Sequence, residues 1–195
     1  AVPTLLRRPA DIIGSADHAR HPNIPLPRDL LLPQRKNSRG IEFGERAALE
    51  RLTAAVAGEA APVTAAPLIA GRSAPGTARP LLSPIDRATS IGSVIEASAA
   101  DTEAAIAAAR DGFAVWSAMP AQARAEILEH AADLLEERVA RFIALLQREG
   151  GKTLDDALSE VREAADFCRY YAARGRKLFG AGEALPGPTD ESNVL

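Results

Sequence analysis

The chain has 195 residues, 47% of them hydrophobic, 25% charged and only 4% aromatic, a composition that can bury a core of close-packed, alanine-rich helices but not a thick aromatic one. A formal charge of −3 gives no global pull toward nucleic acid or an anionic membrane. The single cysteine, Cys168, excludes an internal disulfide and a multi-cysteine metal cluster and fits a cytoplasmic protein, and no apolar run reaches membrane-spanning length.

The charge is unevenly spread. Residues 1–40 hold seven cations (Arg7, Arg8, Arg20, Arg28, Arg35, Lys36, Arg39) against Asp11, Asp17 and Asp29, a local balance of +4 that leaves −7 for the rest. No aromatic residue stands among those cations to stack a base, so the expectation is a solvated basic arm lying on an acidic partner surface, with nucleic acid not indicated. A short helix from about Pro3 to Ile13 is compatible with the pattern, with Pro9 set to end or kink it. Pro22, Pro25, Pro27 and Pro33 exclude a helix through the next stretch, and Asn37-Ser38-Arg39-Gly40 reads as a turn. A short helix near 45–57 follows, with Ala48, Leu49, Leu52 and Val56 at helical spacing.

Residues 66–98 read as a small antiparallel β unit. Its expected strands are Pro67-Leu68-Ile69-Ala70, Arg79-Pro80-Leu81-Leu82 and the run from Ile91 to Ala97, the second confined by Pro80 to an edge or a strand start. Helices are expected across 100–180. The first opens at Asp101-Thr102-Glu103, buries Ala105, Ile106, Ala109, Phe113 and Trp116, and stops at Met119-Pro120. Next comes one long amphipathic helix or two joined ones, with Ile127, Leu128, Ala131, Leu134, Leu135, Val139, Phe142, Ile143 and Leu146 inward and Glu126, Glu129, Glu136 and Arg148 outward. Gly150-Gly151 ends it. Thr153 caps a third helix, whose stripe is Leu154, Leu158, Val161, Ala165, Cys168 and Ala172, and Gly180 and Gly182 with Pro186-Gly187-Pro188 close the helical part.

Few residues suggest chemistry on their own. Cys168 lies on an apolar stripe, where a structural role outweighs a nucleophilic one. His18 and His21 form an H-x-x-H pair, but Pro22 argues against the helix a metal site would need. Gly180-Ala181-Gly182 follows a helix, whereas a dinucleotide-binding loop follows a strand. Asp155, Asp156, Glu160 and Glu163 in the first turns of a helix are explained by its dipole and by solvation. No nucleophile, base and oxyanion donor come together, and no catalytic, cofactor or metal residue is assigned.

Larger patterns say more. The runs Trp116-Ser117-Ala118-Met119-Pro120, Ala131-Ala132-Asp133-Leu134-Leu135-Glu136 and Glu149-Gly150-Gly151-Lys152-Thr153, with Glu160-Val161, resemble the N-terminal helical region of the aldehyde dehydrogenase superfamily. Ser83-Pro84-Ile85-Asp86 and Ile91-Gly92-Ser93-Val94 resemble the hairpin that enters that fold; this likeness covers residues 66–195. Gly150 departs from the family, which often has another small residue there. More narrowly, Asn23-Ile24-Pro25-Leu26-Pro27-Arg28-Asp29-Leu30, Arg35-Lys36-Asn37-Ser38-Arg39-Gly40 and Glu163-Ala164-Ala165-Asp166-Phe167-Cys168-Arg169-Tyr170-Tyr171-Ala172 resemble the bifunctional proline-catabolic enzymes, in which a flavin-dependent proline dehydrogenase barrel precedes the aldehyde dehydrogenase.

The resemblance implies an α/β parent of aldehyde dehydrogenase type. This chain would be its mainly α part, with a small antiparallel β unit and an extended N-terminal arm: residues 1–65 the linker after the barrel, residues 66–195 the start of the dehydrogenase. It implies FAD and NAD in the parent and neither bound by this chain, with the barrel expected before Ala1 and the NAD core, catalytic cysteine and general-base glutamate after Leu195. Glu163 and Phe167 match a helix that approaches the aldehyde site and would line or back the substrate pocket. Implied partners are the remaining domains of the same chain and further copies in a homo-oligomer, and peripheral membrane association of the parent is compatible with it. A monofunctional aldehyde dehydrogenase, disfavoured by the basic arm, and a free-standing helical interaction module are the other readings.

Overall fold

A computed structural model describes residues 2, 6–14, 21, 23–59, 61–182, 184–189, 191 and 193–194. Helix α1 (Pro9–Gly14) has Pro9 at its first position, where a missing N–H costs nothing. The expected helix from Pro3 onward lies partly outside the described residues. The arm then forms a 3-10 turn at Pro27–Asp29 and further turns to residue 34. The stretch 35–42 has no turn, contrary to the expectation from Asn37-Ser38-Arg39-Gly40. Its backbone donors go instead to distant partners, as described below.

Helix α2 (Arg46–Gly58) buries Leu52, with Ala48, Leu49 and Val56 half-buried beside it, as their spacing predicts. Five strands follow: β1 (Val63–Ala65), β2 (Leu68–Ile69), β3 (Arg72–Ser73), β4 (Ala78–Leu82) and β5 (Ser90–Ile95). The β4–β5 pair is antiparallel as expected, and β4 with its Pro80 is an edge strand. Two details differ from expectation. Strand β1 adds to the free side of β5 in parallel, giving the order β1-β5-β4, and β2 pairs with β3 in a separate hairpin. Gly92 permits the parallel contact: a Cβ there would stand 2.3 Å from the Val63 carbonyl oxygen.

Helix α3 (Ala99–Ala118) begins at a capping box: Ser98 Oγ accepts from the Asp101 N–H at 3.1 Å, and Asp101 Oδ2 accepts from the Ser98 N–H at 2.8 Å. Met119-Pro120 ends it. The stretch expected as one long helix or two joined ones is two helices, α4 (Ala121–Glu137) and α5 (Val139–Gly150), joined at Arg138. Gly151 closes α5 at φ 65°, a left-handed conformation that favours glycine. Helix α6 (Leu154–Arg176) starts from Thr153, whose hydroxyl accepts from the Asp156 N–H. A π turn (Lys177–Ala181) and a short hairpin, β6 (Ala184–Leu185) with β7 (Asn193–Val194), complete the chain.

The core lies where α2, α5 and α6 meet, around Leu52, Ile143, Ala157, Leu158 and Val161, with Ile41, Phe43, Val56, Leu135 and Phe142 packed against it. Helices α4 and α6 pack through Ala125, Ala132, Ala165 and Ala172; small side chains let the two axes approach closely. This differs from the predicted stripe. Ile127 and Leu128 are exposed, because the alanines on the adjoining face form the seam. Glu129, Glu136 and Arg148, expected to point to solvent, reach neighbouring segments instead. Helix α3 has no buried residue, and its expected inward face, Ile106, Phe113 and Trp116, is exposed. Its periodicity gave the apolar face without fixing what covers it.

Candidate functional site

Helix α6 presents two faces of different character, separated by the rise of about 100° per residue. The inner face carries Leu158, Val161, Ala165 and Ala172 into the core and the seam. Arg169, four residues after Ala165 and three before Ala172, lies on the same side and is 5% exposed. A guanidinium buried so deeply needs partners. Its Nη2 donates to Asp133 Oδ1 at 2.8 Å and to Glu136 Oε2, both on α4. Burial opposes the charge, but the hydrogen bonds to Glu136 and Asp133 prevail and raise its pKa above the usual arginine value.

The arm joins the same network. Asp166 Oδ1 accepts from the Ser38 N–H at 2.7 Å, Asp166 Oδ2 accepts from the Ser38 hydroxyl at 2.8 Å, and Arg35 pairs with Asp166 at 3.4 Å. Glu136 Oε1 accepts from the Arg39 N–H at 2.6 Å, and the Asn37 N–H goes to the Arg28 carbonyl at 2.8 Å. Three successive backbone donors of a segment without secondary structure are thus satisfied, two of them by carboxylates. Carboxylates of this chain's own α4 and α6 thus take Arg35, both Ser38 donors and the Arg39 N–H, which accounts for part of the expected acidic surface. Arm and helices enclose a cleft of about 610 Å³, lined in part by Arg28, Lys36, Arg39, Glu136, Arg162 and Arg169.

The outer face of α6 carries the two pocket residues expected from sequence. Glu163 and Phe167 are both exposed, one turn apart, on the side opposite the core stripe. Phe167 stacks on Tyr171 with centroids 6.0 Å apart, and Tyr170 meets Tyr171 edge-on at 5.2 Å. The face is an acid beside three aromatic rings, able to offer a hydrogen-bond acceptor and a flat apolar wall. The sequence motif contains Tyr170 and Tyr171 but assigns them no role. At the far end of α6, Arg176 forms a two-pronged pair with Glu129, 2.6 Å at each prong, and donates from Nε to Gln122. Glu129 is held below its ordinary pKa, first by the Arg176 hydrogen bond.

The other sequence motifs stay apart from this face. Cys168 is half-buried on α6. His21 Nδ1 accepts from the Asn23 N–H at 3.2 Å, and His18 lies outside the described residues. Among the described residues no three His, Cys, Asp or Glu are placed to hold a metal. Asp155 and Asp156 sit in the first turn of α6, Asp156 bonded to Thr153. Gly180 and Gly182 belong to the π turn after α6 and its exit, not to a loop between a strand and a helix, so these residues do not fit a dinucleotide cradle. No helix among the described residues is long and apolar enough to cross a membrane.

The aldehyde dehydrogenase family model matches residues 72–195. The chain belongs to the aldehyde dehydrogenase family. Within it the likeness is to PutA: the bifunctional protein PutA of Klebsiella aerogenes is 39% identical over 160 residues, covering 82% of this chain and 12% of the relative. A crystal structure of a Bradyrhizobium japonicum proline utilization A variant is 54% identical, with TM-score 0.67, over 100% of this chain and 16% of that one. A 1-pyrroline-5-carboxylate dehydrogenase from Thermus, with bound NAD, is 29% identical with TM-score 0.69 over 78% of this chain and 30% of its own. The chain thus spans about an eighth of the curated relative's length, and its match to PutA takes in the arm as well as the helices.

Proposed function

We propose that this chain is the linker and first part of the aldehyde dehydrogenase module of a bifunctional proline-oxidising enzyme. The observation that carries the reading is the likeness to PutA over the whole chain, including the arm. In such a parent a flavin unit oxidises proline to pyrroline-5-carboxylate, and the hydrolysed form, glutamate semialdehyde, is oxidised to glutamate with NAD. FAD and NAD would be held by other parts of the parent, as would the reacting cysteine and base. The chain alone is then expected to be inactive.

The contribution of these residues is to shape and shield. The outer face of α6 would border the aldehyde pocket, where Phe167 and its stacked Tyr171 keep water out and the Glu163 carboxylate accepts a hydrogen bond from a polar group of the substrate or pocket. The test is made in the longer protein with Glu163→Gln and Phe167→Ala. Each should raise KM for glutamate semialdehyde and leave proline oxidation unchanged, and an unaltered KM in both would remove this face from the pocket.

A further inference from the structure

We infer that Asp166 is a positioning residue through which the linker sets the placement of the outer face of α6; the inference rests on the reading of that face as a pocket wall. Asp166 immediately precedes Phe167 and follows Glu163 by three residues, and around the helix it falls between the buried stripe and the outer face. Its side chain is 24% exposed. Both of its oxygens are taken by the linker: Oδ1 by the Ser38 N–H and Arg35, Oδ2 by the Ser38 hydroxyl. Ser38 is fully buried, so the contact is enclosed. A second tie lies next to it, where Glu136 holds the Arg39 N–H with one oxygen and Arg169 with the other.

The arrangement makes α6 a shared element. Its inner face is fixed by the α4 seam and the core, and its rim is fixed by residues 35–39 of the linker. A helix held on two sides transmits a shift at its rim to the neighbouring side chains, because packed interiors move as units. The linker is therefore more than a tether. Its correct seating holds Glu163 and Phe167 at a fixed angle to the rest of the pocket, so a disturbance of the upstream unit that unseats Ser38 would be felt at the aldehyde site.

The test uses the longer protein. Asp166→Asn and Ser38→Ala should each raise KM for glutamate semialdehyde roughly 2- to 30-fold, with a smaller change in kcat. In the Ser38→Ala background, Asp166→Asn should add less than it does alone, because the two share the Ser38 hydroxyl contact while the Ser38 N–H and Arg35 still reach Asp166. Trypsin should cut sooner after Arg35, Lys36 and Arg39 in both variants. If Asp166→Asn does not fold, Ser38→Ala alone carries the KM test. Unchanged KM in Ser38→Ala and Asp166→Asn, while Glu163→Gln and Phe167→Ala raise it, overturns the inference and leaves the pocket reading intact. Fully additive effects of the two variants overturn it as well. Unchanged KM in all four variants removes the pocket reading itself, and the inference with it.

Discussion

Ser38 and Asp166 stand 128 positions apart in sequence and are joined twice, the Ser38 N–H reaching Oδ1 at 2.7 Å and its hydroxyl reaching Oδ2 at 2.8 Å. A serine with no exposure, facing a carboxylate through both donors, is the anchor of the arm. Removing the hydroxyl leaves one oxygen of a partly buried carboxylate less well satisfied. Ser38→Ala should cost about 1.5–3 kcal/mol, the range for hydrogen bonds to charged groups. Urea unfolding should show a lower midpoint at unchanged slope.

The two acids that hold Arg169 are unequal. Asp133 is 67% exposed at its side chain and Glu136 is 23% exposed, and only Glu136 also accepts from the arm. Asp133→Asn should therefore cost less than about 1 kcal/mol, as exposed ion pairs do. Glu136→Gln should cost about 1–3 kcal/mol, because a buried guanidinium loses its better partner. Equal effects on the unfolding midpoint would show that the arm contact adds nothing.

Ile143 and Ala165 test the core from opposite directions, since neither has any exposed surface. Ile143→Ala opens a cavity between α2, α5 and α6 and should cost about 2–5 kcal/mol. Ala165→Leu overfills the α4–α6 seam and should cost about 1–3 kcal/mol. Thermal unfolding of each variant measures both.

These features differ in how plainly the sequence announces them. The stop at Gly150-Gly151, the cap at Thr153, the break at Pro120 and the face of α2 through Leu52 are local, set by one residue's backbone preference or by a few spacings. The contacts of Ser38 and Arg39 are not local, and a polar run ending in glycine looks like a turn until distant carboxylates claim its N–H groups. Arg169 lies at the spacing of Ala165 and Ala172 on the apolar stripe of α6, a signal of a buried paired cation, although its apolar neighbour Cys168 fits the same stripe by composition. Glu163 and Phe167 came from resemblance, and no periodicity would have chosen them. Strand β1 is three residues long and finds its partner 29 positions on, beyond the reach of a local pattern.

Acid should loosen the far end of α6. The Glu129 carboxyl is held below its ordinary 4.5 by the Arg176 hydrogen bond. Its contribution is fully present above pH 4.5 and is lost as pH falls through the lowered folded value. Glu129→Gln should therefore be less stable than the parent sequence at pH 7. The difference should close once pH drops below 4.5 and through that folded value, as followed by circular dichroism.

Trp116 is the only tryptophan and is 45% exposed on α3, on one face with Ile106 at 44% and Phe113 at 66%. An apolar face of this kind is covered in a larger assembly or self-associates. In the chain alone, Trp116 fluorescence should be readily quenched by acrylamide and Phe113→Glu should reduce self-association. In the longer protein the quenching should fall sharply.

On the proposed reading, this chain frames an aldehyde site whose reacting groups belong to the rest of the longer protein. NADH formation from glutamate semialdehyde, measured side by side for the isolated chain and for the longer protein containing it, tests it most directly. Turnover is expected from the longer protein and none from the chain alone. Turnover by the isolated chain, or a longer protein that oxidises other aldehydes but not this one, would contradict that reading.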